Sequence, residues 1–362
     1  MPPPPSRIKG RGAAGNPVGR FEATRHEAED DGWWRDDEPS ALRTQVTNEQ
    51  ARSVITRNDS PDLPFDLALN PYRGCEHGCI YCYARPTHEY LNLSSGLDFE
   101  TRLYAKENAA AVLRRELANP RHEVSPINLG ASTDPYQPIE RRHRVTRGVL
   151  EVLVETRHPL TIVTKNALVL RDLDLLRVLA RDSLVQVFLS VTTLDNGLAS
   201  RLEPRASAPH ARLRAVAELA AAGVPVGVFV APVIPAITDA EMESVMQAAR
   251  EAGASTISYT LVRLPHQVAP MFREWLDVHF PDRAAHVMSL IQQMRGGRDN
   301  DPRFGSRMRG EGLFADLLKR RFEIARKRLG FATHEEHVGL RCDLFRAPVK
   351  PKPASAQGDL FG

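Results

Sequence analysis

The chain has 362 residues and a formal net charge of +3, with 42% hydrophobic and 26% charged residues, as in an ordinary globular protein. Four cysteines, three of them clustered, do not form the pattern of a disulfide framework, and the most apolar stretch, VPVGVFVAPVIPAI, is too short and too rich in proline to span a bilayer. The start lacks the apolar core of a secretory signal, so we expect a cytosolic protein with no membrane partner.

Residues 1–60 are rich in Pro, Gly, Arg and acidic residues and show no sustained hydrophobic period. This composition predicts a mostly disordered N-terminal arm. Its basic, glycine-rich part, KGRGAAGNPVGRFE, is either a contact for a polyanion or a plain flexible tail, and the composition favours the tail.

Residues 61–282 carry a different pattern, in which short apolar runs rich in β-branched residues alternate with segments of helical spacing. The six runs are residues 66–72, 127–131, 160–165, 185–193, 224–233 and 255–262. This alternation is typical of a parallel sheet built from βαβ units. Six units are too few for a closed eight-fold barrel, so we predict an α/β fold with an open, partial (β/α)6 barrel, whose ligands bind at the C-terminal ends of the strands.

The C-terminal part is basic. Residues 295–330 carry a net charge of +6, whereas the rest of the chain sums to −3. In LFADLLKRRFEIARKRLG, helical spacing places Phe314, Leu318 and Phe322 on one face and the basic residues on the others. We predict a basic helical extension over residues 283–345, with either a solvated face or a phosphate-contacting one, and a flexible tail over 346–362.

A stretch of eight residues contains three of the cysteines, in the spacing C-x3-C-x2-C: Cys75, Cys79 and Cys82. Three interpretations are open. A zinc site would need a fourth ligand, for which His77, His88 or Cys342 is available. An ordinary [4Fe–4S] site would use Cys342 as its fourth thiolate. The third kind of site is a [4Fe–4S] cluster held by three thiolates, whose open iron binds a substrate.

The spacing, with an aromatic residue before the third cysteine and after the first strand of a β/α array, resembles the signature of the radical SAM superfamily. The resemblance implies a [4Fe–4S] cluster on the three cysteines, with S-adenosylmethionine (SAM) on the open iron. It also implies that an external donor reduces the cluster, that one electron passes to the sulfonium, and that the resulting 5′-deoxyadenosyl radical abstracts a hydrogen atom.

Five stretches, YCY, GASTDPYQPIE, IVTKN, LSVTT and RLEPRASAP, resemble spore photoproduct lyase and its relatives, which are often labelled DNA repair photolyases. By this resemblance Tyr81 borders the adenine, and Tyr83 belongs to a radical relay or lines the substrate pocket. Lys165 would meet the SAM carboxylate. The other cofactor-binding candidates are Ser132, Thr133 and Asp134 near the methionine amino group, Ser190 and Thr192 near the ribose hydroxyls, and Glu203 and Arg205 as further polar contacts.

The sequence departs from the lyase pattern at one place. The lyase uses a hydrogen-donor cysteine near the end of its second strand, and NLGASTDPYQP has Ala131 or Ser132 there instead. Cys342 is the remaining thiol. A different substrate, or a tyrosine donor such as Tyr83 or Tyr136, fits the sequence better than the lyase's own reaction.

The last residues, QGDLFG, resemble the short peptide by which bacterial polymerases and repair enzymes bind the replication sliding clamp. Leu360 and Phe361 would fill an apolar pocket and Gln357 would form a hydrogen bond at its rim. The sequence as a whole therefore predicts a radical SAM enzyme that acts on nucleic acid, plausibly in DNA lesion repair. The alternatives are the same chemistry on RNA, a peptide or a small molecule, and a non-catalytic zinc or Fe–S module recruited to DNA.

Overall fold

The computed structural model describes residues 8–21, 42–332 and 339–348. The strands within these ranges are β1 (Gln45–Glu49), β2 (Ile55–Arg57), β3 (Leu67–Leu69), β4 (Tyr72–Arg73), β5 (Arg102–Lys106), β6 (Ile127–Leu129), β7 (Leu160–Thr164), β8 (Val185–Ser190), β9 (Val226–Val233) and β10 (Thr256–Leu261). The α-helices are α1 (Leu97–Thr101), α2 (Ala109–Leu117), α3 (Glu140–His143), α4 (Val145–Thr156), α5 (Leu173–Arg181), α6 (Asn196–Leu202), α7 (Pro209–Ala221), α8 (Met242–Glu251), α9 (Val268–His279), α10 (Ala284–Gln293), α11 (Ser306–Arg309) and α12 (Leu313–Arg328). Short 3-10 helices cover Arg85–Leu91, Ala167–Asp172 and Asp239–Glu241.

A seven-stranded sheet with the order β10-β9-β8-β7-β6-β3-β2 forms the body of the protein. Six strands run parallel, and β2 pairs antiparallel with β3 at one edge. Each of the six predicted apolar runs contains one of the parallel strands, so the predicted partial (β/α)6 barrel is confirmed. In parallel sheets both faces are covered, which explains why β8 is buried along almost its whole length.

The helices pack on this sheet through faces that the apolar spacing predicts. On α4, Val149, Leu150 and Leu153 are fully buried. On α12, Phe322 is buried with its ring centroid 4.7 Å from that of Tyr259 on β10. Burying each such side chain contributes about 1.5–3 kcal/mol. The basic C-terminal extension is therefore helical, as predicted, and its apolar face is fastened to the last strand of the barrel.

Part of the N-terminal arm is ordered, which corrects the expectation of a mostly disordered segment for those residues. β1 pairs in parallel with β5 in a separate three-stranded sheet of order β1-β5-β4, and β2 borders the main sheet. The sequence pattern missed both strands because QVTNE and ITR are short and mostly polar and none of their residues is fully buried. β1 is ordered by hydrogen bonds to β5, a strand distant in sequence, and β2 by hydrogen bonds to the nearby β3.

The segment 339–348 lies at the end of the sheet where the parallel strands begin. The backbone N–H of Arg341 donates to the carbonyl of Ser183 at 3.0 Å, just before β8, and that of Arg346 donates to Thr156 at 2.8 Å, just before β7. This places Cys342 at the end opposite to the C-terminal strand ends. In the part of the chain that the structure describes, every helix is too short or too polar to cross a membrane.

Candidate active site

The cysteine loop, residues 74–84, connects β4 to the 3-10 helix Arg85–Leu91. It follows the first barrel strand, as predicted, but β4 of the smaller sheet lies between them. Two glycines shape the loop: Gly74 and Gly78 have φ of +72° and +67°, where side chains are strained. A Cβ at Gly78 would also stand 2.8 Å from Oε2 of Glu100. The C-x3-C spacing therefore depends on a glycine before its second cysteine.

The three thiols of the cysteine loop lie close enough for their charges to act on one another, in a mostly buried environment. Cys75 and Cys79 are 7% and 8% exposed. The loop is held by backbone hydrogen bonds from Cys75 N–H to the Phe99 carbonyl at 2.9 Å and from Cys82 N–H to the Cys79 carbonyl at 3.2 Å. Burial raises the pKa of the Cys79 and Cys82 thiols, so a metal must displace protons when it binds here.

Cys342 cannot serve these cysteines as a fourth ligand. It lies at the N-terminal ends of the strands, with Sγ 3.9 Å from the carbonyl of Leu340, whereas the cysteine loop lies at their C-terminal ends. The four-thiolate interpretation is therefore wrong, and so is Cys342 as a hydrogen donor at the same site. A lone, partly buried thiol of this kind behaves as a small apolar side chain.

The two histidines considered as zinc ligands already have hydrogen-bond partners, which for His77 include Cys75. His77 has Nδ1 3.3 Å from Oδ2 of Asp134 and Nε2 3.2 Å from Nδ2 of Asn166. His88 has Nε2 2.9 Å from the Arg102 carbonyl. Within residues 8–21, 42–332 and 339–348, no three His, Cys, Asp or Glu side chains are arranged to hold a single metal ion. The zinc interpretation, which needs a compact set of four ligands, has no such set in these ranges.

Glu203 is the centre of a buried network behind the cysteine loop. The Tyr81 hydroxyl donates to Oε1, and the Thr192 hydroxyl donates to the same oxygen at 2.6 Å. Arg212 pairs with Oε2, and Lys165 Nζ lies 4.0 Å from Oε1. Burial alone would raise the pKa of Glu203, but the charges of Arg212 and Lys165 and the hydrogen bonds from Thr192 and Tyr81 together outweigh it and lower the pKa to about 2. The fold thus brings three predicted site residues, Tyr81, Thr192 and Lys165, around the carboxylate of a fourth, Glu203.

Asp134 is a second such centre, at the end of β6. Its Oδ1 accepts from the Thr164 hydroxyl at 2.7 Å and from Tyr136 N–H at 2.8 Å, and its Oδ2 accepts from Lys165 N–H at 2.7 Å. Burial would raise its pKa, but the charge of His77 lowers it. Because protein donors occupy both oxygens, Asp134 positions the loops after β6 and β7 and the His77 ring between the cysteines.

Three further candidates lie near the same strand ends. The backbone N–H groups of Ser132 and Thr133 donate to Asn70 Oδ1 at 2.9 and 3.2 Å, and the Thr133 hydroxyl donates to the Tyr72 carbonyl at 2.9 Å. Ser190 is buried at the last position of β8. Thr133 therefore has a mainly structural contact, whereas the half-buried Ser132 side chain remains accessible.

Arg205 contacts the cysteine loop rather than the strand ends. Its Nη2 lies 2.8 Å from Oε1 of Glu76, and its N–H donates to the His77 carbonyl at 3.2 Å. The side chain is 37% exposed. Arg205 therefore braces the loop between its first two cysteines from the outside.

Tyr83 lies at the open mouth of the site and is 48% exposed. Its hydroxyl donates to the carbonyl of Ala131, and the guanidinium of Arg263 stands 5.3 Å from the ring centroid. Arg307, whose charge also acts on Tyr83, stands 4.6 Å from the ring of Phe304, which is 57% exposed. We call Tyr83, Arg263, Phe304 and Arg307 the mouth surface.

Tyr136, the other tyrosine considered as a donor, is fully buried in the main core, with Arg171 5.9 Å from its ring centroid. It cannot meet a substrate at the mouth. Sequence reasoning also missed Arg212, although a signal was present: Arg212 stands in helical phase with the buried residues Ala215, Val216 and Leu219 of α7. A charged residue on an apolar face needs a buried partner, which here is Glu203.

The profile of the radical SAM superfamily matches residues 69–249, which span the cysteine loop and the strand-end residues described above. The chain belongs to the radical SAM superfamily. Its cofactors are a [4Fe–4S] cluster and S-adenosylmethionine, and the three thiols of the cysteine loop, two buried and one half-buried, are a fitting donor set for such a cluster. As a radical SAM protein it is an enzyme, which excludes the alternative of a non-catalytic zinc or Fe–S module.

Proteins of similar sequence occur in distant organisms. An uncharacterised protein of Mycobacterium tuberculosis is 37% identical over 233 residues, which cover 64% of this chain and 68% of that one. An uncharacterised protein of Methanocaldococcus jannaschii is 28% identical over 199 residues, which cover 55% and 71%. A solved spore photoproduct lyase mutant with bound AdoMet and dinucleoside spore photoproduct is 19% identical, with a TM-score of 0.46 over 65% of this chain. This chain covers 66% of that lyase chain, slightly less than two thirds of its length.

Proposed function

We propose that this radical SAM enzyme acts on nucleic acid in the cytoplasm and repairs a DNA lesion, with electrons from an external donor. The observation that carries the proposal is the mouth surface, where an exposed phenylalanine and tyrosine alternate with two arginines. Exposed aromatic rings stack on unpaired bases, and arginines contact phosphate or stack on the base planes. A peptide or a small-metabolite substrate would not explain this combination of exposed rings and arginines equally well.

The arginines of the mouth surface are held in place by other contacts. Arg307 Nε donates to Oδ2 of Asp62 at 2.7 Å, and Arg263 Nη1 lies 3.7 Å from Sδ of Met308. Burial lowers the pKa of Arg263, and the nearby charge of Arg307 lowers it further. Asp62 already balances the charge of Arg307, so Arg263 is the arginine of the mouth surface left to favour an anionic ligand, and a phosphate is the anion that nucleic acids present.

The bound cluster and S-adenosylmethionine supply the 5′-deoxyadenosyl radical, and the residues of this chain supply binding and orientation. We assign Lys165 to the SAM carboxylate, because its ammonium is 16% exposed and stands at the end of β7. Glu203 holds Tyr81 and Thr192 in fixed rotamers, which positions the Tyr81 ring for the adenine. The Ser132 and Ser190 hydroxyls are the nearest further candidates for polar contacts.

Tyr83 is the proposed hydrogen donor or radical relay. Its hydroxyl contacts Ala131, at the position where the lyase pattern has its donor cysteine, and its ring faces the mouth. A tyrosine that gives up its hydroxyl hydrogen to a substrate radical becomes a tyrosyl radical, which a second hydrogen or electron donor must restore. The chemistry of this enzyme would therefore differ from that of a thiol-dependent lyase in its last step.

We also propose that residues 283–345 form a substrate-binding extension of the barrel domain, residues 61–282. On α12, Arg321 pairs with Glu243 at 2.6 Å and Arg326 pairs with Glu323 at 3.0 Å, so part of the charge is balanced within the protein. Four basic residues stay exposed there: Lys319, Arg320, Lys327 and Arg328. Their place on one helix suits non-specific contacts with the backbone of a nucleic acid.

The clamp-binding peptide predicted at Gln357, Leu360 and Phe361 lies outside the described residues. We retain it as a proposal because a sliding clamp would place the enzyme on DNA. A pull-down with purified bacterial clamp should retain the parent and lose the Leu360→Ala, Phe361→Ala double variant. Equal retention of both, or of neither, would contradict the clamp proposal without affecting the proposed reaction.

The reaction is tested with anaerobically reconstituted protein. SAM cleavage to 5′-deoxyadenosine is measured with a UV-irradiated, thymine-rich single-stranded DNA, the same DNA without irradiation, and the matching RNA, with Cys82→Ala as the inactive control. We expect irradiated DNA alone to raise nucleoside formation and to be converted. Stimulation by RNA alone would favour an RNA-modifying enzyme, and equal rates with all three would contradict a nucleic-acid substrate.

A further inference from the structure

The N-terminal segment 8–21, called the strap below, lies across the cysteine loop. Its backbone N–H groups at Gly12 and Ala13 donate to Oε2 and Oε1 of Glu100 at 3.0 and 2.9 Å. Sequence composition favoured a flexible tail here. Two main-chain hydrogen bonds to one buried carboxylate instead fix the strap in register with the loop, because both N–H groups must point at the same side chain.

Glu100 connects the strap to a cysteine. Its Oε1 accepts from Arg85 Nη2 at 2.5 Å, and both side chains are 0% exposed. The same guanidinium donates through Nε to the Cys79 carbonyl at 2.9 Å. Buried ion pairs of this kind are costly to break because the partner left behind is an unpaired charge. A continuous chain of contacts therefore runs from Gly12 through Glu100 and Arg85 to the backbone of Cys79.

The strap also touches the loop directly. A Cβ added at Gly12 would stand 1.8 Å from the carbonyl oxygen of Gly78, which lies between Cys75 and Cys79. Only a residue without a side chain allows the two backbones to approach so closely. Ala13, the next residue, is 2% exposed and packs in the same apolar cluster as Cys79.

Arg11 fastens the strap from its other side. It is 7% exposed, and its guanidinium donates to the Glu100 carbonyl at 3.0 Å and to the Thr44 hydroxyl at 3.0 Å. That hydroxyl donates in turn to Oε1 of Glu76 at 2.6 Å, within the cysteine loop. Further along, Leu97 N–H donates to the Gly15 carbonyl at 3.2 Å. The strap is thus attached on both sides of the loop.

We propose that the strap is a cover that keeps the cysteine loop in its cluster-binding conformation and keeps water and chelators away from the iron. Residues around a metal site that hold its ligands are typically worth about 10- to 100-fold in metal affinity. The inference rests on the cluster, which the family membership shows, and not on the nucleic-acid substrate. A negative result in the test of the strap would therefore leave the proposed function standing. Failure of the proposed function would likewise leave the strap proposal standing.

The experiment compares Gly12→Ala with Gly15→Ala, a matched control in the same strap whose new Cβ would meet nothing within 4 Å. Both full-length proteins are reconstituted anaerobically, and iron content, cluster absorbance and the rate of iron loss to EDTA are measured. We expect Gly12→Ala to lose iron about tenfold faster than the parent. Gly15→Ala should behave as the parent, and thermal unfolding of the cluster-free proteins shows whether Gly12→Ala still folds.

Equal iron loss from the parent and a folded Gly12→Ala protein would overturn the proposal, as would equally fast loss from both glycine variants. If Gly12→Ala does not fold, the Arg11→Gln variant tests the strap proposal in its place. This variant removes the side-chain contacts of the strap with Thr44 and Glu100 but leaves both backbones free of new atoms. Faster iron loss from Arg11→Gln would support the cover, and an unchanged rate would exclude it.

Discussion

Arg212 and Glu203 form an ion pair in the interior, with side chains that are 1% and 0% exposed. Arg212 also donates through Nη1 to the Ser190 carbonyl at 2.9 Å, so one guanidinium joins α7, the end of β8 and the residue that follows α6. With Oε2 of Glu203 neutralised, Oε1 is left to accept from Tyr81 in the cysteine loop. The pair therefore connects the barrel wall to the cysteine loop.

Replacing Arg212 by Met should lower the free energy of unfolding by about 3–5 kcal/mol, because the carboxylate of Glu203 would stay buried without its partner. Urea unfolding of the cluster-free protein measures the loss. Arg214→Met is the matched control on the same helix, since Arg214 is 65% exposed and its ion pair with Glu218, at 3.6 Å, is a surface pair. Equal unfolding midpoints for the two variants would contradict the role of the pair.

Replacing Lys165 by Met should weaken SAM binding about 10- to 100-fold, the value of one hydrogen bond between charged groups. The affinity is read from the change that SAM causes in the EPR spectrum of the reduced cluster. Lys319→Met, at an exposed position of α12, is the control and should bind SAM as the parent does. An unchanged affinity in Lys165→Met would remove Lys165 from the SAM site.

Replacing Tyr83 by Phe removes one hydroxyl and keeps the ring at the mouth. We expect 5′-deoxyadenosine formation without substrate to stay near the parent level, while conversion of irradiated DNA falls about tenfold or more, equivalent to at least about 1.4 kcal/mol in the barrier. Tyr90→Phe, on a tyrosine that is 72% exposed, serves as the control. If conversion by Tyr83→Phe equals that of the control, the hydroxyl is neither donor nor relay.

Replacing Phe304 by Ala should weaken binding of single-stranded DNA by about 1–3 kcal/mol if one base stacks on its ring. Phe21→Ala is a close control, because both rings are 57% exposed and Phe21 lies against Tyr90 instead of the mouth. Binding is measured by fluorescence anisotropy at fixed salt. A loss shared by both variants, or by neither, would argue against base stacking at the mouth surface.

Acidification should destabilise the protein through His158. Burial lowers its pKa to about 4 from an ordinary value of 6.5, so the unfolded chain binds more protons between these values. The neutral His158 side chain contributes its full stabilisation of the folded protein above pH 6.5. This contribution, at most about 3 kcal/mol, is lost as the pH falls toward 4. His122, whose Nε2 lies 3.0 Å from Nε2 of His158, has its pKa lowered as well.

The measurement is urea unfolding at pH 7 and pH 5 for the parent, for His158→Gln, and for His210→Gln at an exposed position of α7. His158→Gln should show a smaller drop in stability on acidification than the other two. Part of the drop should remain, because burial also lowers the pKa of His88 to about 4. An identical drop in all three proteins would mean that His158 does not titrate with unfolding.

The barrel and its cofactor chemistry could be predicted because their signals are local. Six apolar runs carry the period of buried strands, and the spacing of three cysteines within one loop does not depend on the rest of the fold. The resemblance to spore photoproduct lyase proposed Lys165, Ser190 and Thr192 as site residues, and parallel strands, whose C-terminal ends share one edge, place them on the same side of the sheet. The order of the strands along the chain is enough to place these residues at one edge of the sheet.

Other relationships depend on distances that chain order does not contain. Glu203 meets Tyr81 across 122 residues of sequence, and the strap meets Glu100 across more than eighty. β1 and β2 are too polar to signal strands without their partners.

By itself the sequence determined the fold class and the cofactors, whereas the three cysteines as cluster ligands and the C-terminal strand ends as the place of the chemistry remain predictions. Tertiary structure alone decided that Cys342 lies at the far end of the sheet, that Asp134 is occupied by protein donors, and that Gly12 rests on the cysteine loop. The physical reason is the range of the interactions. Hydrophobic periodicity and ligand spacing act along the chain, whereas buried ion pairs and close backbone contacts form only after distant segments have packed.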